Sequence, residues 1–312
     1  MRRFSVATFA VLISFISAAE AGVLVDPSAL DAKTLALHGE YIAKARTQHA
    51  AAFDVLQKLR ADLPRLDSQK RGRFLSLSKM LRPLAQKAPW VLVNELAGNG
   101  APQGDLSASA WQGWRVSLVE ALGMTRNAAL APMLRATVAK FRGDAHVMRA
   151  SIVALARLGD NADVDLLVKA ATSEKNTPAI QLNALGEHRR VKMAQTIVKL
   201  LDGNKWSNAE KRALLHALGK IGNAWAWKTS AIKRTGEGAE VRGIAAKKLL
   251  EVFLNDRESS VRKRAGKSFI LVSAPNSPAL FKAARLSSPK DGPAIDALDK
   301  LAASYGKSAL RQ

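Results

Sequence analysis

Cysteine is absent from the sequence. That gap removes disulfides, thiolate metal sites, thiol nucleophiles and lipid attachment through cysteine, so packing alone must hold the fold. Aromatic residues are scarce, at 5% with only 2 tyrosines, while alanine and leucine abound. Such a composition suits close helix-on-helix packing and serves sheets poorly. The five histidines, at 38, 49, 146, 188 and 216, never stand three or four residues apart. No helical face therefore offers a pair of metal ligands, and no His-Glu-x-x-His pattern exists. There is no Gly-x-Ser-x-Gly elbow, and the glycine-rich stretch 98–104 lacks both the lysine and the preceding strand of a phosphate loop. No catalytic, cofactor or metal residue is assigned on these grounds, and the chain reads as a protein without catalytic activity of its own.

Acidic residues are outnumbered, 26 against 48 Lys and Arg, for a formal charge of +22. Such a surplus favours solubility and draws anionic partners: lipid headgroups, acidic polysaccharide, acidic proteins or nucleic acid. At the N-terminus Arg2 and Arg3 precede an apolar run over 4–18, and Ala19-Glu20-Ala21 supplies small residues around a spacer. This is the pattern of a secretory signal peptide over 1–21. The run is shorter than the ~20 apolar residues of a spanning helix. With no second long apolar run, the mature chain is expected to be periplasmic or secreted, with no transmembrane segment after cleavage.

What the sequence does contain is a recurring phrase. Val119-Glu120-Ala121-Leu122-Gly123 returns as Ile152-Val153-Ala154-Leu155-Ala156, as Leu182-Asn183-Ala184-Leu185-Gly186 and as Leu215-His216-Ala217-Leu218-Gly219. Taking the last residue of each as a mark, the steps are 33, 30 and 33 residues, the period of a helical-hairpin solenoid. The invariant alanine is too far round the helix from the flanking leucine to share the centre of one face. It is the place where a neighbouring helix would come closest. Leu134, Leu167 and Ile197, eleven residues past their marks, predict a second helix in each unit; Ser230 breaks that column and Ile232 stands in for it.

Outside the phrase, the spacing predicts a helix over 27–63 ended by Pro64, another from about 68 carrying Phe74, Leu77 and Leu81, and a short one over 90–96 after Pro89. These make 22–108 a helical region or capping repeat, with a loop over 98–105 as its boundary. The repeats then occupy 109–274. Segments 241–253 and 261–272 both read as first helices, too close together for a full unit between them, which predicts a compressed repeat. Short helices within 275–312 would cap the far end.

Arg115, Arg149 and Arg212 ahead of the phrase, with turns such as Arg157-Leu158-Gly159-Asp160 and Lys220-Ile221-Gly222-Asn223, resemble the short bacterial HEAT-like repeats also found in phycobilisome lyases. The resemblance covers about 111–272. It implies an all-α solenoid of HEAT-like hairpins with an N-terminal helical cap, whose second helices line a concave side. Tetratricopeptide and ankyrin readings fit less well, because a patterned tyrosine and a Thr-Pro-Leu-His motif are both missing. The resemblance brings two functional precedents, bilin attachment and DNA-glycosylase action on duplex held in a basic concavity. No aspartate here matches the glycosylase motif, and repeats of this kind serve unrelated functions.

Cations recur with the repeat. Arg126, Arg157, Arg189, Arg190 and Lys220 fall within four residues after a mark, in the turn joining two helices, while Arg135, Lys169 and Lys199 form a row on the second helices. Stacking would align them into a basic edge and a basic inner surface for carboxylate or phosphate. A cation at a helix C-terminus also satisfies the helix dipole, so these positions carry both readings. Arg149, Arg212, Arg242 and Arg262 follow Asp144, Glu210, Glu240 and Glu258 and read instead as inter-repeat ion pairs. Trp225 and Trp227, about 200° apart on a helix, lie among Lys205, Lys220 and Lys228; one of the two should be exposed as a contact residue for a protein or sugar. The expected function is a binding scaffold for an acidic protein or another anionic partner. The alternative is a basic nucleic-acid binder or glycosylase-like enzyme.

Overall fold

The computed structural model describes residues 24, 30–72, 75–97, 103–140, 144–173, 179–203, 206–287 and 292–309. The signal-peptide reading, Phe74, Lys205 and much of the 98–105 loop lie outside them. Among the described residues there are helices and no strands. In order these are α1 (Ala32–Gln48), α2 (Ala50–Ala61), α3 (Leu63–Ser68), α4 (Ser78–Lys87), α5 (Pro89–Ala97), α6 (Ala108–Thr125), α7 (Ala131–Lys140), α8 (Ala145–Leu158) and α9 (Val164–Thr172). They continue with α10 (Ala179–Ala184), α11 (Val191–Asp202), α12 (Asn208–Ile221), α13 (Ser230–Lys233), α14 (Gly238–Asn255), α15 (Ser259–Val272), α16 (Ser277–Ser287) and α17 (Pro293–Gly306).

The recurring phrase lies on one layer of stacked helices, α4–α6–α8–α10–α12–α15, each packed on the next. Local sequence starts these helices cleanly. Ser107 Oγ accepts from Ala110 N at 3.0 Å, Asp144 Oδ1 from His146 N at 2.6 Å, and Ser207 with Glu210 makes a reciprocal capping box. The far ends turn through left-handed residues: Arg126 at φ 52°, Gly159 at φ 73° and Ser273 at φ 42° close α6, α8 and α15. The second helices α7, α9, α11 and α14 lie behind, burying Leu134, Leu167, Ile197 and Leu249 into one continuous core.

What sets the helix spacing at three of the four marks is the absence of a side chain. A methyl placed on Gly123 would stand 2.6 Å from Ala154 Cα, and one on Gly186 would stand 2.9 Å from Ala217 Cα. In the first and third units the mark thus rests on the phrase alanine of the next. Gly219 repeats the contact with Ser268 Cβ at 2.7 Å, which assigns α15 to the phrase layer as the first helix of a fifth unit.

That assignment corrects the compressed repeat. α14 packs against α11, α12 and α15, so 241–253 belongs to the second helix of the fourth unit and is not a first helix. The distance to α15 is long because the fourth hairpin carries an extended connection between α12 and α14, which contains α13. Ile232 is buried as the column expected, but on the single turn of α13. The N-terminal expectations also shift. The predicted helix over 27–63 breaks at His49, φ −135° and ψ 36°, between α1 and α2. Pro64 opens α3 from its first turn, where a missing N–H costs nothing, and the next helix begins at Ser78 rather than near 68. At the other end Phe269, Phe281 and Tyr305 pack edge to face, with centroids 5.1 and 5.5 Å apart, and close the stack with α16 and α17.

Two alanine substitutions separate these packing roles. Gly123→Ala forces backbone apart and should lower stability by about 1–3 kcal/mol. Gly39→Ala, in α1 with nothing within 4 Å of the added carbon, should raise it by about 0.5–1 kcal/mol. Urea midpoints of the two variants check both signs, and a neutral Gly123→Ala would contradict the close approach.

Candidate functional site

The corners between first and second helices share one edge of the stack, and the third unit shows why they meet. Its first helix tightens after Ala184 into a 3-10 turn over Leu185–Glu187, which brings Glu187 to the corner. Glu187 sits one residue past its mark, in the column that holds Arg157 in the preceding unit and Lys220 in the following one. Stacking therefore flanks a carboxylate with a cation on each side. Lys220 Nζ lies 2.8 Å from Glu187 Oε1, Arg157 Nε 3.5 Å from Oε2, and Arg189 Nη1 3.1 Å from Oε2.

Two residues further on, Arg126 in the first unit occupies the column of Arg189. It is exposed and makes no ion pair among the described residues; its Nη1 donates to the Arg157 carbonyl at 2.5 Å. Three cations thus hold a single carboxylate, with Arg126 beside them. Burial alone would push the Glu187 pKa up, yet Arg189, Lys220 and Arg157 outweigh it and hold the group at about 2, against an ordinary 4.5. Arg126 is pushed down, first by loss of water around its head group and then by Arg189 and Arg157. Arg189 Nε is buried without an acceptor. The anticipated row of separate rungs is instead a focus of positive charge, partly neutralised from within. Glu187 escaped the sequence reading, which followed cations alone; its position in the Arg157–Lys220 column was the available signal.

The remaining candidates divide. Arg190 Nε pairs with Glu237 at 2.9 Å. Arg135 binds Asp163 at 2.5 Å and Asp160 at 2.8 Å, so its charge is spent between units. Lys169 and Lys199 are exposed and make no ion pair among the described residues. Trp227 is buried at 7% exposure, its Nε1 donating to Ile221 O at 2.7 Å, while Trp225 stays 55% exposed with Lys228 Nζ 4.2 Å above its ring. The structure thus brings Arg126, Arg157, Arg189 and Lys220 together, sets Arg135, Lys169 and Lys199 on the other layer, and displays Trp225.

The second arginine set holds units together, though with partners other than those expected. Arg149 pairs with Glu120 of the preceding unit at 2.5 Å, whereas Arg212 donates to Ser260 Oγ at 2.9 Å. Arg242 and Arg262 donate to backbone carbonyls, Val272 O at 3.0 Å and Asp256 O at 2.8 Å. Asp144, Glu210 and Glu258 are occupied as caps. His188 is fully buried with Nε2 on Asp160 O at 2.9 Å. Among the described residues no group of three or more His, Cys, Asp or Glu could hold a metal ion, and no helix is long and apolar enough to cross a membrane.

No family model, curated protein or solved structure matches the chain. Its class rests on its own coordinates: an all-α helical-repeat protein with a cation-rich corner edge.

Because the folded pKa of Glu187 lies below its ordinary value, its ion pairs stabilise the fold above about pH 4.5 and lose that contribution as pH falls toward 2. The shift corresponds to about 3 kcal/mol. Glu187→Gln should be less stable than wild type at pH 7 and should flatten the loss of stability across this window. Parallel pH profiles that differ only by an offset would contradict the assignment.

Proposed function

We propose that this chain is a non-catalytic binding scaffold of HEAT-like hairpins, exported by its N-terminal segment, that receives an acidic protein along its corner edge. One observation carries the reading: Arg157, Arg189 and Lys220 crowd about one carboxylate, and Arg126 adds a fourth positive charge against the Arg157 carbonyl. Keeping like charges this close is unfavourable, and an incoming anion relieves it. The ligand chemistry follows from the way Glu187 is held. Two guanidinium groups and an ammonium already grip a carboxylate there, and guanidinium geometry suits a second one. Acidic side chains are therefore the favoured partner, ahead of lipid headgroups, polysaccharide or nucleic acid.

Arg126 is the lever for a test, since it is exposed and makes no ion pair among the described residues. Arg126→Glu should weaken binding of poly-glutamate about tenfold, equivalent to ~1.4 kcal/mol, while leaving the thermal midpoint within a degree or two. Lys169→Glu with Lys199→Glu, on the other layer, should have the smaller effect. Affinities measured by calorimetry at two salt concentrations decide the matter: wild-type binding must weaken with salt. Equal affinity in all three proteins would refute the edge, and a strong preference for DNA duplex over poly-glutamate would favour nucleic acid instead.

A further inference from the structure

The connection between α12 and α14 is the longest departure from the repeat, and the fold invests several contacts in fixing it. Trp227 anchors it from below, with a methyl on Gly238 standing only 2.9 Å from the ring. Glu237 Oε2 accepts from Val191 N at 2.6 Å and its Oε1 pairs with Arg190, tying the connection to the third unit. Ala224 N donates to Leu271 O at 3.1 Å, tying it to the fifth. A segment held at both ends and beneath, yet presenting a tryptophan to water, is preorganised for contact.

The bond from Ala224 also brings two exposed apolar residues to the same corner. Trp225, the next residue, is 55% exposed, and Leu271, in the last turn of α15, is 36% exposed. Lys228 stands against the indole and Lys267 one helical turn before Leu271, while Lys233 and Arg234 lie further along the same connection. All four are exposed or half-exposed, and none is in an ion pair among the described residues. The only acid of the connection, Glu237, is consumed by Arg190. An apolar centre with a charged rim is the anatomy of a protein interface, and tryptophan is over-represented among residues that dominate such interfaces.

We infer that Trp225 and Leu271 form an apolar anchor point, beside the cation cluster, for a protein segment in which acidic residues surround an aromatic or large aliphatic one. The inference rests on the anionic-partner reading and adds what charge cannot supply, a choice among acidic partners.

Two synthetic peptides of equal length and charge test it, one glutamate-rich with a central phenylalanine and the other with alanine in its place. Wild-type protein should bind the phenylalanine peptide about tenfold more tightly. Trp225→Ala should bring both peptides to the affinity of the alanine one, with an unchanged thermal midpoint because the side chain is exposed; Leu271→Ala should remove part of the preference. Equal binding of the two peptides by wild type, or a preference that survives Trp225→Ala, overturns the anchor. If equal binding is accompanied by weakening of both in Arg126→Glu, the charged edge stands and only the anchor fails. Binding of heparin with neither peptide bound overturns both.

Discussion

The fold depends on how closely consecutive hairpins can approach. Gly123 and Gly186 carry no side chain where Ala154 and Ala217 come in, and those residues carry only a methyl. Helix axes are thereby drawn together, and the leucines on either side interlock into one core. Large residues at these points would spread the stack and disperse everything borne on its edge. Close packing of this kind transmits a displacement to the next unit rather than absorbing it.

The corner cluster is a product of that spacing. A guanidinium or ammonium can bridge to the adjacent unit only if the units are near. Arg157 and Lys220 reach Glu187 from opposite sides, and Arg126 reaches the Arg157 carbonyl. In the proposed function the same contacts would serve both stability and recognition. Glu187 keeps the cations in place and lowers their repulsion, while leaving the edge with a net positive charge. The extended connection of the fourth unit then adds an exposed aromatic, Trp225, to an edge otherwise made of charge; under the proposed function, attraction and discrimination would have separate sources.

Much of the architecture was legible because it is periodic. The phrase fixed the first helices, the invariant alanine marked the close approach, and the leucine column placed α7, α9 and α11. Legibility failed where the period does. Residues 241–253 have the pattern of a first helix, and only their packing against α11 shows that they are a second one. The break at His49 falls in 43–52, a stretch with neither proline nor glycine to mark it. Corner arginines and Lys220 could be placed on one edge from their offsets, and Glu187 shares the column of Arg157 and Lys220, but which of them reach it could not be read, because side-chain reach is not encoded in register. The roles of Trp225 and Trp227 were separable only once the connection had a shape: one indole found a carbonyl and a glycine, and the other did not.

Amide hydrogen exchange in the presence of a saturating acidic peptide tests most directly whether the corners act as a single surface. Protection should rise at the corners of successive units, near Arg126, Arg157, His188 and Trp225, while the backs of α7, α9 and α11 exchange as in the free protein. Protection concentrated on those second helices, with the corners unaffected, would place the partner on the opposite layer and contradict the account.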